Sequence, residues 1–203
     1  MWVRDNYLGG DFLSIDPNDV VVDLGANRGL FTLMALAHGP GVSVVAVEAG
    51  EWLCKILEDN LALNRWSDRA RLCRRFIGGM TSYQQTALQN PEYANASLID
   101  EQTFLRTYQL DRIDFLKCDI EGSEFELLRP DSALLARARQ VAIEVHDFAG
   151  DRRAFARMLA DAGFEVRVHK DDPQCRTLHA RRRQEAALVV PPAAHATIQA
   201  TGD

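Results

Sequence analysis

The stretch that most constrains this chain is Val20-Val21-Val22-Asp23-Leu24-Gly25-Ala26-Asn27-Arg28-Gly29. Three consecutive β-branched residues suit a strand buried on both faces, as in a parallel sheet. Two glycines then turn the chain, and Leu30 to Ala37 reads as an apolar helix closed by Gly39 and Pro40. A buried strand running straight into a helix is half of a crossover unit, which points to an α/β fold. The alternation continues. Val42 to Val47 reads as a second strand, Ala70 to Ile77 as a poorer third, Ile113 to Lys117 as a fourth and Val141 to Val145 as a fifth. Phe164 to Val168 and Ala186 to Val190 complete seven. Between them, Glu51 to Asn64 is an amphipathic helix with Leu53, Ile56, Leu57 and Leu61 on one face, and Asp151 to Ala162 is a second, stopped by Gly163. The last two strands are joined by a polar loop from Asp171 that lacks a helical pattern, so the final strand is expected to be antiparallel. The basic cluster from Arg176 to Arg183 is read as a solvated part of that loop.

With 203 residues the chain is long enough for one medium domain with its own core. That domain is expected over residues 1–190, with 1–18 as a short lead-in, 81–97 as a polar insertion or lid, and 191–203 as a flexible tail. The net charge of −6 argues against a general binder of phosphate backbones. No apolar run is long enough to cross a bilayer, and the N-terminus lacks a signal-peptide core. Cys54, Cys73, Cys118 and Cys175 show no CxxC pairing, so they are read as reduced thiols of a cytoplasmic protein. The expected partner is a small molecule rather than a nucleic acid or a membrane, and a homo-oligomer is compatible with the sequence.

Four places carry residues suited to chemistry. The glycine turn, Asp23 to Gly29, sits where the first strand becomes a helix, so backbone amides can face an anionic group. Its spacing is not the dinucleotide GxGxxG, which favours a looser cradle for a carboxylate or ribose. Glu48, followed by Ala49 and Gly50, ends the second strand, where an acid suits the two hydroxyls of a ribose. Ile113 to Glu124, reading IDFLKCDIEGSE, puts Asp119 and Glu121 beyond the carboxyl end of the fourth strand, where ligands bind in open α/β sheets. If that strand stays extended, Lys117, Asp119 and Glu121 share one face. Ser123 would cap the next helix, with Glu124 serving its dipole. Finally, His146 ends the fifth strand, and an imidazole there can accept a proton. Trp52 and Trp66, in or beside the second helix, are read as packing residues.

On these residues (VVDLGANRG at 21–29, VVAVEA at 44–49, IDFLKCDIEGSE at 113–124 and IEVH at 143–146) the chain resembles the FkbM family of S-adenosylmethionine-dependent methyltransferases. The likeness runs from about Asp19 to Phe164. It implies a class I methyltransferase fold, a Rossmann-like, mostly parallel seven-stranded sheet with an antiparallel last strand. It also implies O-methylation of a hydroxyl on a sugar or specialised metabolite, with S-adenosyl-L-methionine as cofactor and S-adenosylhomocysteine as product. By the resemblance, Asp23, Gly25, Ala26, Asn27 and Gly29 form the cofactor loop. Glu48 with Ala49 holds the ribose, Phe76, Ile77 and Gly78 lie along the adenine, and Asp119 sits near the methionine amine or the acceptor. The chain departs from the family in having Ala49 where proline is common, and in a short N-terminal region where many members have a longer one over the substrate.

A hydroxyl acceptor needs help to lose its proton. His146 or Asp119 is expected as the base, with Glu121 orienting. A divalent metal bridging Asp119, Glu121 and His146 is a second route, not favoured because the ligand spacing is not diagnostic. Two other functions fit parts of the sequence. A nicotinamide oxidoreductase would need the glycine pattern that is missing here, and a non-catalytic binding module would fit the short N-terminus.

Overall fold

The computed structural model describes residues 2–173 and 175–183. Its chain order begins with helix α1 (Trp2–Tyr7). The triple-valine run forms β1 (Val20–Leu24), followed by α2 (Leu30–Leu36), β2 (Ser43–Val47) and α3 (Glu51–Leu63). Next come β3 (Ala70–Cys73), β4 (Arg75–Ile77), α4 (Ser82–Ala87), a single 3₁₀ turn (Pro91–Tyr93), β5 (Ser97–Ile99) and α5 (Glu101–Thr107). The remainder is β6 (Ile113–Cys118), α6 (Glu124–Leu127), α7 (Ala133–Arg137), β7 (Ala138–His146), α8 (Arg152–Asp161), β8 (Phe164–Asp171) and β9 (Cys175–Arg182). Seven strands form one sheet in the order β3-β2-β1-β6-β7-β9-β8, parallel except for β9, which runs antiparallel to both neighbours. This is the expected class I topology.

Both faces of the sheet are covered, which is why its central strands are mostly apolar, with Asp23 and Lys117 among the buried exceptions. One face packs Phe104 and Leu105 of α5, Leu127 of α6, Leu134 and Leu135 of α7 and Phe155 and Leu159 of α8 against alternate residues such as Val22, Leu116 and Ile143. The other packs Tyr7, Phe12, Phe31, Leu36, Leu57 and Leu61 against Val21, Val44, Phe115 and Ala142. Each large side chain buried this way contributes about 1.5–3 kcal/mol. The strand order reverses between β1 and β6, and the crevice at that switch point is where ligands sit in open α/β sheets.

Three expectations change. The third strand does not run through to Ile77. β3 is the sheet's edge, with only Cys73 fully buried, so beyond Arg74 nothing holds the chain and β4 pairs instead with β5 in a separate parallel sheet. The 81–97 insertion is also not featureless: Thr81 and Gln84 form a capping box that starts α4, and Asn90 caps the 3₁₀ turn. Finally, the residues after Asp172 form β9, not a solvated basic loop, while the expected strand at 186–190 and tail at 191–203 fall outside the described residues. Thr177 to Ala180 are buried, and the Arg182 guanidinium donates to the carbonyls of Leu135 and Ala138 at 2.5 and 3.0 Å. Arg181 pairs with Glu165 and lies over the Phe12 ring. The arginines that disguised this strand have partners in the fold.

The N-terminal lead-in is an integral part of the domain. Phe12, Leu13 and Ile15 are buried, and α1 is tied to the far end of the sheet. His169 and His179, with stacked rings 4.4 Å apart, bond the backbone carbonyls of Asp5 and Asn6.

Candidate active site

The carboxyl ends of β1, β2 and β6 open into a cleft of about 160 Å³. Gly25 sits at its floor in a left-handed conformation (φ 74°), and a Cβ there would lie 1.8 Å from the Asp119 carbonyl oxygen. This glycine therefore serves first the close approach of two strand ends, a constraint beyond the ligand approach read from sequence. Gly29 is different again. At φ 82° it precedes α2, and a Cβ would meet Leu57 of α3 at 2.8 Å, so it permits helix packing away from the cleft.

Asp23 and Lys117 lock the two strands from below. Asp23 is fully buried, accepts from Thr32 Oγ1 at 2.6 Å, and lies 3.2 Å from the Lys117 ammonium. Lys117 also donates to the carbonyls of Leu24 and Gly25, at 3.1 and 2.7 Å. Burial alone would lower the lysine's pKa, but Asp23 and then Asp119 hold it above its ordinary value. Asp23, Ala26 and Gly29, expected at the cofactor, shape the loop without lining the cleft; Gly25, Asn27, Glu48, Ala49, Ile77 and Asp119 do line it.

Glu48 is 8% exposed, and its carboxylate is fixed by the backbone N–H groups of Asn27 and Gly50, both at 2.8 Å. Burial raises its pKa, against the lowering effect of these hydrogen bonds. Beyond it, Leu53, Phe76, Ile77 and Tyr93 make an apolar slot in which the rings of Phe76 and Tyr93 stack at 5.7 Å. A buried, pre-oriented carboxylate beside such a slot fits a ribose with its attached base. Tyr93 and Tyr83, which also lines the cleft, come from the insertion and were not singled out by sequence. Glu92 of the same segment accepts from Trp52 and Leu53 N–H groups at the start of α3. Trp52 itself is 56% exposed, with Arg28 over its ring, so it is not the packing residue expected; Trp66 does pack at the core's edge.

At the other end of the cleft the strand stops at Cys118, and Glu121 and Gly122 both take positive φ. Lys117 and Asp119 share a face, but Glu121 reaches the cleft through this turn and not by strand alternation. Ser123 makes no capping bond; its hydroxyl meets Thr81 Oγ1 at 3.0 Å and ties the insertion to this loop. Glu124 stands in the first turn of α6 as expected, but it is fully buried and does more than face the helix dipole. Its Oε1 accepts from the N–H groups of Ile120 and Gly122 and meets His146 Nδ1 at 3.0 Å. His146 Nε2 lies 3.5 Å from Glu121. Burial opposes a charged imidazole, but Glu124, then Glu121 and Asp119, raise its pKa to about 9. At neutral pH His146 is thus an imidazolium, which can orient and donate but cannot take a proton.

The structure also brings in Glu144, two residues before His146 on β7 and part of the IEVH motif, to which the sequence assigns no role of its own. Oxygens of Asp119 and Glu144 and a ring nitrogen of His146 all lie within 4.8 Å of one another. Tyr7 of α1 donates its hydroxyl toward both carboxylates, at 3.0 Å each, and Asn6 Nδ2 also donates to Glu144. The set whose ligand atoms converge among the described residues is therefore Asp119, Glu144 and His146, and not the trio with Glu121 that the less favoured metal route would use.

The Methyltransferase FkbM domain family matches residues 23–166. The 31-O-demethyl-FK506 methyltransferase FkbM of Streptomyces tacrolimicus is 28% identical, over 79% of this chain and 78% of that protein. The AMB antimetabolite synthetase AmbE of Pseudomonas aeruginosa is 26% identical over 82% of this chain, which spans only 10% of that much longer protein. Among solved structures, methyltransferase FkbM from Methylobacillus flagellatus KT superimposes with a TM-score of 0.59 at 17% identity, covering 88% of this chain and 47% of that one. The matched segment starts at the buried Asp23, ends in β8 and contains the carboxyl end of every strand that opens into the cleft. The chain therefore belongs to the FkbM family of S-adenosylmethionine-dependent methyltransferases.

Proposed function

We propose that this chain transfers a methyl group from S-adenosylmethionine to a hydroxyl of a small molecule, a sugar or specialised metabolite. The observation that carries this is the single cleft that joins a ribose-and-base slot, at Glu48, Phe76 and Tyr93, to a carboxylate cluster at Asp119. When bound, S-adenosylmethionine supplies a methyl group already activated by its sulfonium charge. The chain's part is positioning and proton handling. Glu48 orients the ribose, and Phe76, Ile77 and Tyr93 exclude water from the base. Asp119 places negative charge at the Gly25 end of the cleft, where it suits the cofactor's ammonium or the acceptor hydroxyl. Glu121 lines the acceptor side, and His146, held by Glu124, lies 3.5 Å from it.

Isothermal calorimetry with S-adenosylhomocysteine is the first test. Saturable binding to the wild type that Glu48→Ala weakens about tenfold or more supports the proposal, and absence of binding overturns it. Mass spectrometry of reactions with a panel of hydroxylated acceptors then tests the class of acceptor. A mass gain of one methyl on an alcohol is expected, with Asp119→Ala losing most of the turnover.

A further inference from the structure

The Tyr7 hydroxyl is one donor shared by two acceptors. It lies 3.0 Å from Asp119 Oδ2 and 3.0 Å from Glu144 Oε1, and a phenol has only one proton to give. Its environment keeps that proton in place, because burial and then the Asp119 and Glu144 charges push its pKa far up. If both carboxylates were ionised, one would face the phenol's lone pairs with no hydrogen between, and two negative charges would sit within 4.8 Å in a half-buried site. One added proton removes both conflicts. Carried on Glu144, it donates to the Tyr7 oxygen, and Tyr7 donates onward to Asp119.

We propose that Tyr7 is a positioning residue that joins Glu144 and Asp119 into one proton-sharing pair, with the proton held on Glu144 at neutral pH. This deepens the proposed function and rests on it only for its catalytic consequence. The surroundings agree. Lys117 of β6 lies 4.0 Å from Asp119 Oδ2 and 5.3 Å from the centre of the Tyr7 ring, so the cation sits on the Asp119 side of the relay. On the Glu144 side, the amide of Asn6 donates to the carboxyl, and Lys170 of β8 is spent on the Asn6 oxygen at 2.6 Å. Cys175 of β9 stands opposite His146 in the strand register, and burial followed by Glu144 raises its thiol pKa, so it adds no negative charge. Burial, then Asp119, raises the Glu144 pKa against the opposing effects of Tyr7, Lys117 and His146. His179 of β9 and His169 of β8 bond the backbone of α1 and hold Tyr7 in register from outside the pair.

The consequence for methyl transfer follows from proton count. His146 is already protonated, so Asp119 is the group of the pair left to receive the acceptor's proton. As the acceptor oxygen forms its bond to the methyl carbon, the carbon–sulfur bond breaks and its electron pair stays on sulfur. The hydroxyl proton passes to Asp119, and the second proton of the pair remains on Glu144.

Difference infrared spectroscopy of the 203-residue chain at neutral pH, wild type against Glu144→Gln, tests this without an acceptor. A protonated carboxylic acid has a carbonyl band of its own, separate from carboxylate bands. The wild type is expected to show this band, Glu144→Gln to lose it, and Tyr7→Phe to shift it, because the ring and its packing on Phe31 survive while the relay is cut. Calorimetry with S-adenosylhomocysteine on the same variants reports folding and cofactor binding separately. If Glu144→Gln leaves the acid band unchanged, the shared proton is disproved, whatever the cofactor result. If the band is lost in Glu144→Gln but identical in Tyr7→Phe, Tyr7 has no positioning role. Failure of every form to bind S-adenosylhomocysteine would overturn the methyltransferase function and leave the infrared result standing.

Discussion

The side chains that make this site do so by being held. Lys117 is the clearest case. Its ammonium is 4% exposed and satisfied by Asp23 and two carbonyls. Lys117→Met is expected to cost about 3–5 kcal/mol in chemical denaturation, because Asp23 would be left as an uncompensated buried charge. The double variant with Asp23→Leu should recover part of that loss. A cost below 1 kcal/mol in the single variant would show that Asp23 is protonated instead. At this scale the sequence was informative where a residue's type and its strand-end position point the same way. Glu48, Asp119 and His146 were found on that basis. Glu144 and Tyr7 were not: their significance depends on α1 crossing to the end of β7, a contact over more than 130 residues that no local pattern announces. Glu124 was misjudged because an acid in a helix's first turn has an ordinary explanation, and only the folded loop reveals its bond to His146.

Among the elements, the segment from β4 to β5 decides how the cofactor slot is walled. Glu92 fastens it to α3 by accepting two N–H groups at that helix's start. Removing such a cap costs about 0.5–2 kcal/mol. Glu92→Ala is expected to lower the melting temperature modestly and to weaken S-adenosylhomocysteine binding severalfold by freeing Tyr93. Unchanged affinity would mean that Tyr93 is positioned without this contact. The long, well-patterned elements, β1, α2, β2, α3, β6 and α8, lie within about a residue of where hydrophobic periodicity puts them. The exceptions have physical causes. β4 and β5 are three residues each, too short to show a period, and β9 carries arginine and histidine whose polar atoms bond inside the fold.

For the molecule as a whole, two histidines give stability a pH optimum near neutrality. His146 has its pKa raised from an ordinary 6.5 to about 9, so its contribution is fully present below 6.5 and disappears as pH rises through 9. His179 is buried and lowered to about 4; burial is the main cause, against its bond to Asn6. Burial keeps it neutral in the fold although its bond to the Asn6 carbonyl would favour the charged form, so its contribution is present above 6.5 and disappears as pH falls through 4. Melting temperature should therefore decline on both sides, each limb worth roughly 1 kcal/mol after solvent screening. His146→Gln is expected to flatten the alkaline limb and His179→Gln the acid one, measured by thermal denaturation across pH. A wild-type profile without the alkaline decline would show that His146 is neutral in the fold. The overall topology was legible because a doubly wound sheet repeats one pattern many times, so a single misplaced strand does not disturb the rest.

The main sheet lets go of the chain at Cys73 and takes it up again at Ile113. Between those points lie the small second sheet, the stacked pair Phe76 and Tyr93, and Tyr83, all three at the cleft wall and none of them threaded through the seven-stranded ladder. That span can be varied without reordering the strands that lead to Asp23, Lys117 and Asp119, provided that the side chains it lends to the core, Ile77, Ile99, Phe104, Leu105 and Leu110, are kept. A graft of residues 74–112 from a relative would therefore be expected to carry that relative's molecular preferences onto an undisturbed catalytic frame.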